Sequence, residues 1–214
     1  YGFRPLCYGY KDDMLLAASE SNALMNCGID KKDIKDVEPG TMILIQDNKI
    51  SFKRFAPSKR ISHCMFEWVY FSSVASTLDN KSVYVTRTNL GRELAKLETE
   101  KVNAKEYVVV PVPDTAKAAG DAYAYELGVP SREGLIRNRF VGRTFIEGKS
   151  REEKVQTKYT ALRAILEGKK VLLVDDSIVR GTTLREIVHY IKKKGGAKEV
   201  HIRVSCPPIV GPCL

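Results

Sequence analysis

The run Val171-Leu172-Leu173-Val174 constrains the fold of this 214-residue chain more than any other stretch. A strand sends successive side chains to opposite faces, so four consecutive apolar residues require cover on both. That predicts the central strand of a parallel sheet with helices on either side. Flanking sequence agrees. Asn89 is placed to cap a helix in which Leu90, Leu94 and Leu97 share one face, and the apolar run 107–112 follows, with Pro111 and Pro113 at its exit. Residues 115–127 read as a helix whose small face, Ala116, Ala119 and Ala122, would pack closely on a sheet before Gly128 and Pro130 stop it. After the 171–174 strand, Thr183 and Glu186 have the spacing of a capping box, and Leu184, Ile187, Val188 and Ile191 form a buried stripe. Gly195-Gly196 ends that helix, and 199–204 is the last strand.

The first 60 residues read differently. Residues 3–10 read as a strand; the apolar runs 15–18 and 41–45 are bounded by turn signals, and 49–55 alternates apolar with polar. Glu38-Pro39-Gly40 and Asp47-Asn48 are the turns, so hairpins of a larger sheet are predicted. The aromatic stretch 64–71, with the single Trp68, is expected as a buried strand or connector. The shift in composition divides the chain into 1–60 and 61–214.

With 43% hydrophobic and 29% charged residues the chain can bury a core, and its formal charge of +9 favours anions: nucleic acid, phosphorylated metabolites or acidic lipid. The longest apolar runs, 108–112 and 171–174, fall far short of the roughly 18 residues of a membrane span, so a soluble protein is expected. The chain opens on Tyr1-Gly2-Phe3-Arg4 without a leader and reads as an internal fragment of a cytoplasmic protein. Cys7, Cys27, Cys64, Cys206 and Cys213 are odd in number and form no CxxC, which argues against a disulfide framework and leaves no complete zinc site.

The chemistry concentrates in Asp175-Asp176-Ser177-Ile178-Val179-Arg180-Gly181-Thr182-Thr183. A buried strand delivers two carboxylates to its C-terminal edge, where α/β sheets bind ligands, and a glycine- and hydroxyl-containing loop then opens a helix. Backbone N–H groups of residues 180–183 and the two Thr hydroxyls would hold a phosphate monoester. Carboxylates repel phosphate, so Asp175 and Asp176 suit sugar hydroxyls or Mg²⁺. The plainer alternative is a helix start and a turn. Neither a Walker A nor a GxGxxG pattern is present, which argues against ATP hydrolysis and dinucleotide binding. Pro113-Asp114-Thr115 likewise leaves a strand and opens a helix, as a second anion loop or an ordinary Asp cap. Arg137, Arg139 and Arg143, interleaved with Phe140 and Gly142, form a basic loop able to fold over a polyanion or simply to face solvent. No Ser or Cys stands at catalytic spacing from His63, His189 or His201.

The segment 174–183 resembles the 5-phosphoribosyl 1-diphosphate (PRPP) motif of type I phosphoribosyltransferases. Together with Arg137-Asn138-Arg139-Phe140-Val141-Gly142-Arg143-Thr144-Phe145-Ile146 and Tyr1-Gly2-Phe3-Arg4-Pro5-Leu6, it is similar to three blocks of the glutamine PRPP amidotransferase family, over nearly the whole chain. The resemblance implies an α/β fold, the type I phosphoribosyltransferase parallel sheet with flanking helices, over 61–214. Residues 1–60 would be the C-terminal part of an N-terminal-nucleophile glutaminase domain. PRPP would be bound by Asp114, Thr115, Asp175, Asp176, Ser177, Val179, Arg180, Gly181, Thr182 and Thr183, with Mg²⁺ at Thr115, Asp175 and Asp176. Arg137, Asn138, Arg139, Gly142 and Arg143 would belong to a flexible loop closing over PRPP, and Arg4 would hold the glutamine α-carboxylate. The family's nucleophilic cysteine has no counterpart after Tyr1, so no catalytic residue is assigned.

Some members of that family carry a [4Fe-4S] cluster, whose first two ligands would be Cys64 and Cys213. The implied partners are PRPP, glutamine or ammonia, purine nucleotide inhibitors and further copies of the chain; a membrane or nucleic acid is not among them. Two details depart from the family pattern: Arg137 and Phe140 stand where Lys and Tyr are common, and residues 72–76 replace an Arg-Pro-Asp-Ser sequence. Two other functions compete with this one: a nucleobase phosphoribosyltransferase, and a PRPP- or nucleotide-sensing regulator that binds RNA, for which the charge of +9 is the motive.

Overall fold

The structure, a computed structural model, describes residues 1–58, 60–138 and 151–211. The chain forms two compact units, Tyr1–Thr86 and Arg87–Leu214. Among the described residues no helix is long and apolar enough to cross a membrane.

In the first unit β1 (Cys7–Lys11) lies between β2 (Met14–Ala18) and β3 (Lys35–Asp36), both antiparallel to it. Helix α1 (Ser21–Asn26) closes one face by burying Leu24 with Cys7 and Ile29. Two further hairpins follow, β4 (Thr41–Gln46) with β5 (Lys49–Arg54) and β6 (Thr77–Leu78) with β7 (Lys81–Ser82). Each turns on two residues with positive φ, Asp47 (49°) and Asn48 (58°), then Asp79 (47°) and Asn80 (61°). Both pairs suit type I′ turns, whose twist matches that of the strands.

Two expectations are corrected here, and the compact units are described beside them. The aromatic stretch 64–71 is no strand: Met65 and Phe66 are helical, and Glu67–Phe71 forms a π-helical turn closed by Ser72 N–H donating to the Glu67 carbonyl at 3.1 Å. The cause is the buried Glu67 carboxylate, which accepts from Arg4 Nη1 at 2.8 Å and Ser72 Oγ at 3.3 Å. Such a group is stable only where donors converge on it. Residues 61–86 pack with the first unit, so the compact units divide later than residue 60. Glu20 Oε2 accepts from Ser73 N (2.7 Å) and Ser76 Oγ (2.8 Å), and Ser21 Oγ exchanges hydrogen bonds with the Thr77 backbone. Helix α2 (Val83–Lys96) starts before Asn89, where Val85 N–H donates to Ser82 Oγ at 3.4 Å; its β-branched first turn disguised the start.

The second unit continues with β8 (Tyr107–Pro111), α3 (Lys117–Leu127), β9 (Leu135–Arg137), α4 (Arg151–Lys158), β10 (Tyr159–Ala161), α5 (Arg163–Leu166), β11 (Lys170–Asp175), α6 (Thr182–Lys193) and β12 (Glu199–Val204). Strand β11 lies between β12 and β8, parallel to both. Alternation sorts its apolar residues: Val171 and Leu173 join Leu184, Ile187 and Ile191 of α6, while Leu172 and Val174 join Tyr123 and Ala124 of α3. Strand β9 pairs antiparallel with β10 as a separate ribbon.

Small residues let the layers approach. A Cβ on Gly120 would meet Pro111 Cγ at 2.6 Å, and one on Gly91 would meet the Ala119 carbonyl oxygen at 2.0 Å. The second obstacle is backbone and cannot swing aside. Gly91→Ala is therefore expected to lower unfolding free energy by about 1–3 kcal/mol, as for other overpacked sites, and denaturant titration at equilibrium measures it. An unchanged midpoint would show that α2 and α3 can separate freely.

Candidate functional site

Two loops leave the C-terminal edge of the sheet from adjacent strands. One follows β8, where Val112 N–H donates to the Val174 carbonyl at 2.8 Å; the other follows β11. That hydrogen bond ties the 113–115 segment to the strand end carrying Asp175. The Pro113–Asp114 peptide is cis.

The two neighbouring carboxylates have different surroundings. Asp176 is buried and accepts from Ser177 Oγ at 2.6 Å and from the Thr115 hydroxyl, with Arg87 and Lys158 adding favourable charge. Burial still pushes its carboxyl up, against these four influences. Asp175 accepts from the Asp176 N–H at 2.9 Å. Its carboxyl is pushed up to about 6, first by burial, then by the charge of Asp176. Asp176 thus braces one loop against the other, while at Asp175 the favourable charge of Lys158 is outweighed by burial and the charge of Asp176. Ser205 N–H and Cys206 N–H, each at 3.0 Å from the carbonyls of Asp175 and Asp176, fix the backbone beneath them.

Beyond Ser177 the loop is open: Ile178, Val179 and Arg180 are exposed, and Gly181 takes the left-handed conformation at φ 69° before α6 begins at Thr182. The capping box expected of Thr183 and Glu186 does not form. Thr183 is the second residue of the helix, and the N-cap is Gly181, which has no side chain to offer. Thr182 and Thr183 are exposed. Among the described residues the N-cap makes no side-chain hydrogen bond to the first-turn N–H groups, and a helix start with two exposed hydroxyls is suited to an anion.

On the other loop Asp114 is exposed and accepts from Arg137 Nη1 at 2.6 Å. Arg137 ends β9, and Asn138 N–H donates to the Lys158 carbonyl at 2.9 Å, so the base of the arginine segment is tied by backbone. Arg139, Gly142 and Arg143 lie outside the described residues, as does Cys213. Arg4, in the first unit, pairs with Glu67 and lies over the Phe71 ring at 5.2 Å, a contact that holds the π turn.

Sequence reasoning missed Arg87 and Lys158. Arg87 is 4% exposed in α2, and nothing in its local spacing announces a partner so distant in sequence as Asp176. As to metals, no three His, Cys, Asp or Glu among the described residues converge on one point. Cys64 is a free, partly buried thiol. A Mg²⁺ that keeps waters and substrate oxygens needs only one or two carboxylates, and Asp175 and Asp176 are the residues here that could hold one.

Comparison with known proteins yields three kinds of likeness. Residues 82–211 match the phosphoribosyl transferase domain. The chain is 45% identical over 217 aligned residues to the amidophosphoribosyltransferase of Archaeoglobus fulgidus, covering 99% of this chain and 45% of that protein. To the Bacillus subtilis amidophosphoribosyltransferase it is 42% identical, covering 100% of this chain and 44% of the relative. A solved structure described as the allosteric regulatory enzyme of purine biosynthesis superposes with a TM-score of 0.84 at 42% identity, over 99% of this chain and 44% of that one. The B. subtilis glutamine PRPP amidotransferase complexed with ADP and GMP does so at 0.83 and 42%, over 99% and 46%. The chain thus spans under half the length of these relatives.

Proposed function

The chain belongs to the phosphoribosyl transferase domain family, and on that footing we propose that it is part of an amidophosphoribosyltransferase. It would exchange the diphosphate at C1 of PRPP for ammonia, giving 5-phosphoribosylamine, the first step of purine synthesis. One observation carries the reading: two loops from adjacent parallel strands share a sheet edge, one presenting Thr115, the other Asp175 and then the uncapped start of α6.

The first turn of α6, with the Thr182 and Thr183 hydroxyls, would receive the 5-phosphate; Ser177, Val179, Arg180 and Gly181 would form the loop around it. Asp175 and Asp176 would accept from the ribose hydroxyls, and Thr115 would face the diphosphate. Asp175, Asp176 and Thr115 would also hold Mg²⁺, which would offset the charge gathering on the departing diphosphate. The raised Asp175 carboxyl supports this, because a nearby cation would relieve the burial of its charge. Carbon C1 gains oxocarbenium character as diphosphate leaves, and ammonia attacks with its own lone pair. No residue is needed as a base, so the chain's contribution is to position the reactants and stabilise charge.

The wider assignments follow the relatives. Ammonia would come from glutamine, through a glutaminase domain of which residues 1–60 are a part and Arg4 a ligand contact. Purine nucleotides would inhibit, in keeping with the relative solved with ADP and GMP. The whole protein would be a cytoplasmic homo-oligomer.

The test is product analysis with PRPP, Mg²⁺ and either ammonia or a free nucleobase. Ammonia is expected to release diphosphate and form phosphoribosylamine, and adenine, guanine and uracil to give no nucleotide. Nucleotide formed from a base would replace this reading with a nucleobase phosphoribosyltransferase.

A further inference from the structure

Asp114 poses a problem for the function just stated, because an exposed carboxylate beside a diphosphate subsite repels its ligand. It does not belong to the cluster of Asp175, Asp176, Ser177 and Thr115, and its Oδ2 is instead 2.6 Å from Arg137 Nη1. With side chains 71% and 50% exposed, that ion pair contributes little to folding stability.

Its placement is more informative. Arg137 is fixed in backbone by pairing with Tyr159 and by the neighbouring Asn138–Lys158 hydrogen bond. The loop carrying Asp114 is fixed on both sides, through Val112 to Val174 and through the Thr115 hydroxyl to Asp176. Asp114 and Arg137 line one cavity with Lys117, whose ammonium is 3.3 Å from Asp121. A long guanidinium side chain held by one nitrogen keeps its other donors for a second acceptor and loses less freedom when that acceptor arrives.

We propose that Asp114 is the positioning residue of Arg137: it orients the guanidinium for the diphosphate group and does not itself contact phosphate. The inference rests on the PRPP reading above and assigns Asp114 a role within it.

Calorimetry with two probes, inorganic diphosphate plus Mg²⁺ and ribose 5-phosphate, separates the subsites. Asp114→Ala should weaken diphosphate binding about tenfold, the effect of losing one oriented charge-assisted contact, and leave ribose 5-phosphate binding unchanged. Asp114→Glu should restore most of the loss, and thermal melting should not move. In an Arg137→Ala background, Asp114→Ala should cost nothing further. Tighter diphosphate binding by Asp114→Ala would mean that the carboxylate merely repels. Additive losses in the double variant would mean that Asp114 acts without Arg137, and either result overturns the proposal. Failure of the unaltered chain to bind either probe would overturn the PRPP reading as well.

Discussion

Asp175→Asn is expected to abolish PRPP-dependent turnover while making the empty protein more stable. The loss should reach about 100-fold or more in kcat/KM, the scale for removing one group that stabilises transition-state charge. The gain arises because folding raises the Asp175 carboxyl from its ordinary 3.8 to about 6. A group with a raised folded pKa favours folding fully below the unfolded value, and the contribution is lost as pH rises through the folded one. At pH 7.5 the ionised carboxylate therefore opposes folding, by up to about 2–3 kcal/mol for a shift of this size. Asn removes that opposition, and near pH 4 the two proteins should differ little. Denaturant titration at both pH values, with steady-state kinetics, checks both halves. Full activity in the variant would remove Asp175 from the site; equal or lower stability at pH 7.5 would mean that its charge is already compensated.

The largest loss of stability is expected from Arg203→Met. Arg203 on β12 makes a two-pronged pair with Glu98, Nε to Oε2 and Nη2 to Oε1, each at 2.7 Å. Glu98, just beyond α2, also accepts from the Tyr123 hydroxyl of α3, and its side chain is only 3% exposed. The Arg203 hydrogen bonds, opposed by burial and aided by Tyr123, hold the Glu98 carboxyl down to about 2. Burial and the same carboxylate push the Tyr123 hydroxyl up. Without Arg203 a buried charge is left unpaired, a change that costs about 3–5 kcal/mol. Adding Glu98→Gln should recover part of it, since the double variant buries no charge. The pH dependence has the opposite sign to that of Asp175: a depressed carboxyl stabilises the fold above its ordinary 4.5, and the contribution fades as pH falls through about 2. Thermal unfolding of both variants at pH 7 and pH 3 measures this. A single variant as stable as the parent would show that water reaches Glu98.

The sequence by itself determined what local pattern and covalent order can determine. Val171-Leu172-Leu173-Val174 had to be covered on both faces, and β11 is the central strand. Leu184, Ile187 and Ile191 were already one stripe, and Asp47-Asn48 was already a turn. The loops after β8 and β11 were legible because each is a strand end, a carboxylate and a hydroxyl within a few residues. Tertiary structure alone decided what depends on partners far along the chain. Asp175 and Asp176 are the same residue type side by side, yet only Asp176 turns inward to Ser177, Thr115 and the charge of Arg87. Residues 67–71 became a π turn because Arg4 donates to Glu67 from 63 positions away. Thr183 lost its expected capping place because the helix starts one residue earlier, after Gly181 in the left-handed conformation. Burial of a polar group is settled by whether donors converge on it in space, and periodicity in the sequence carries no record of that convergence.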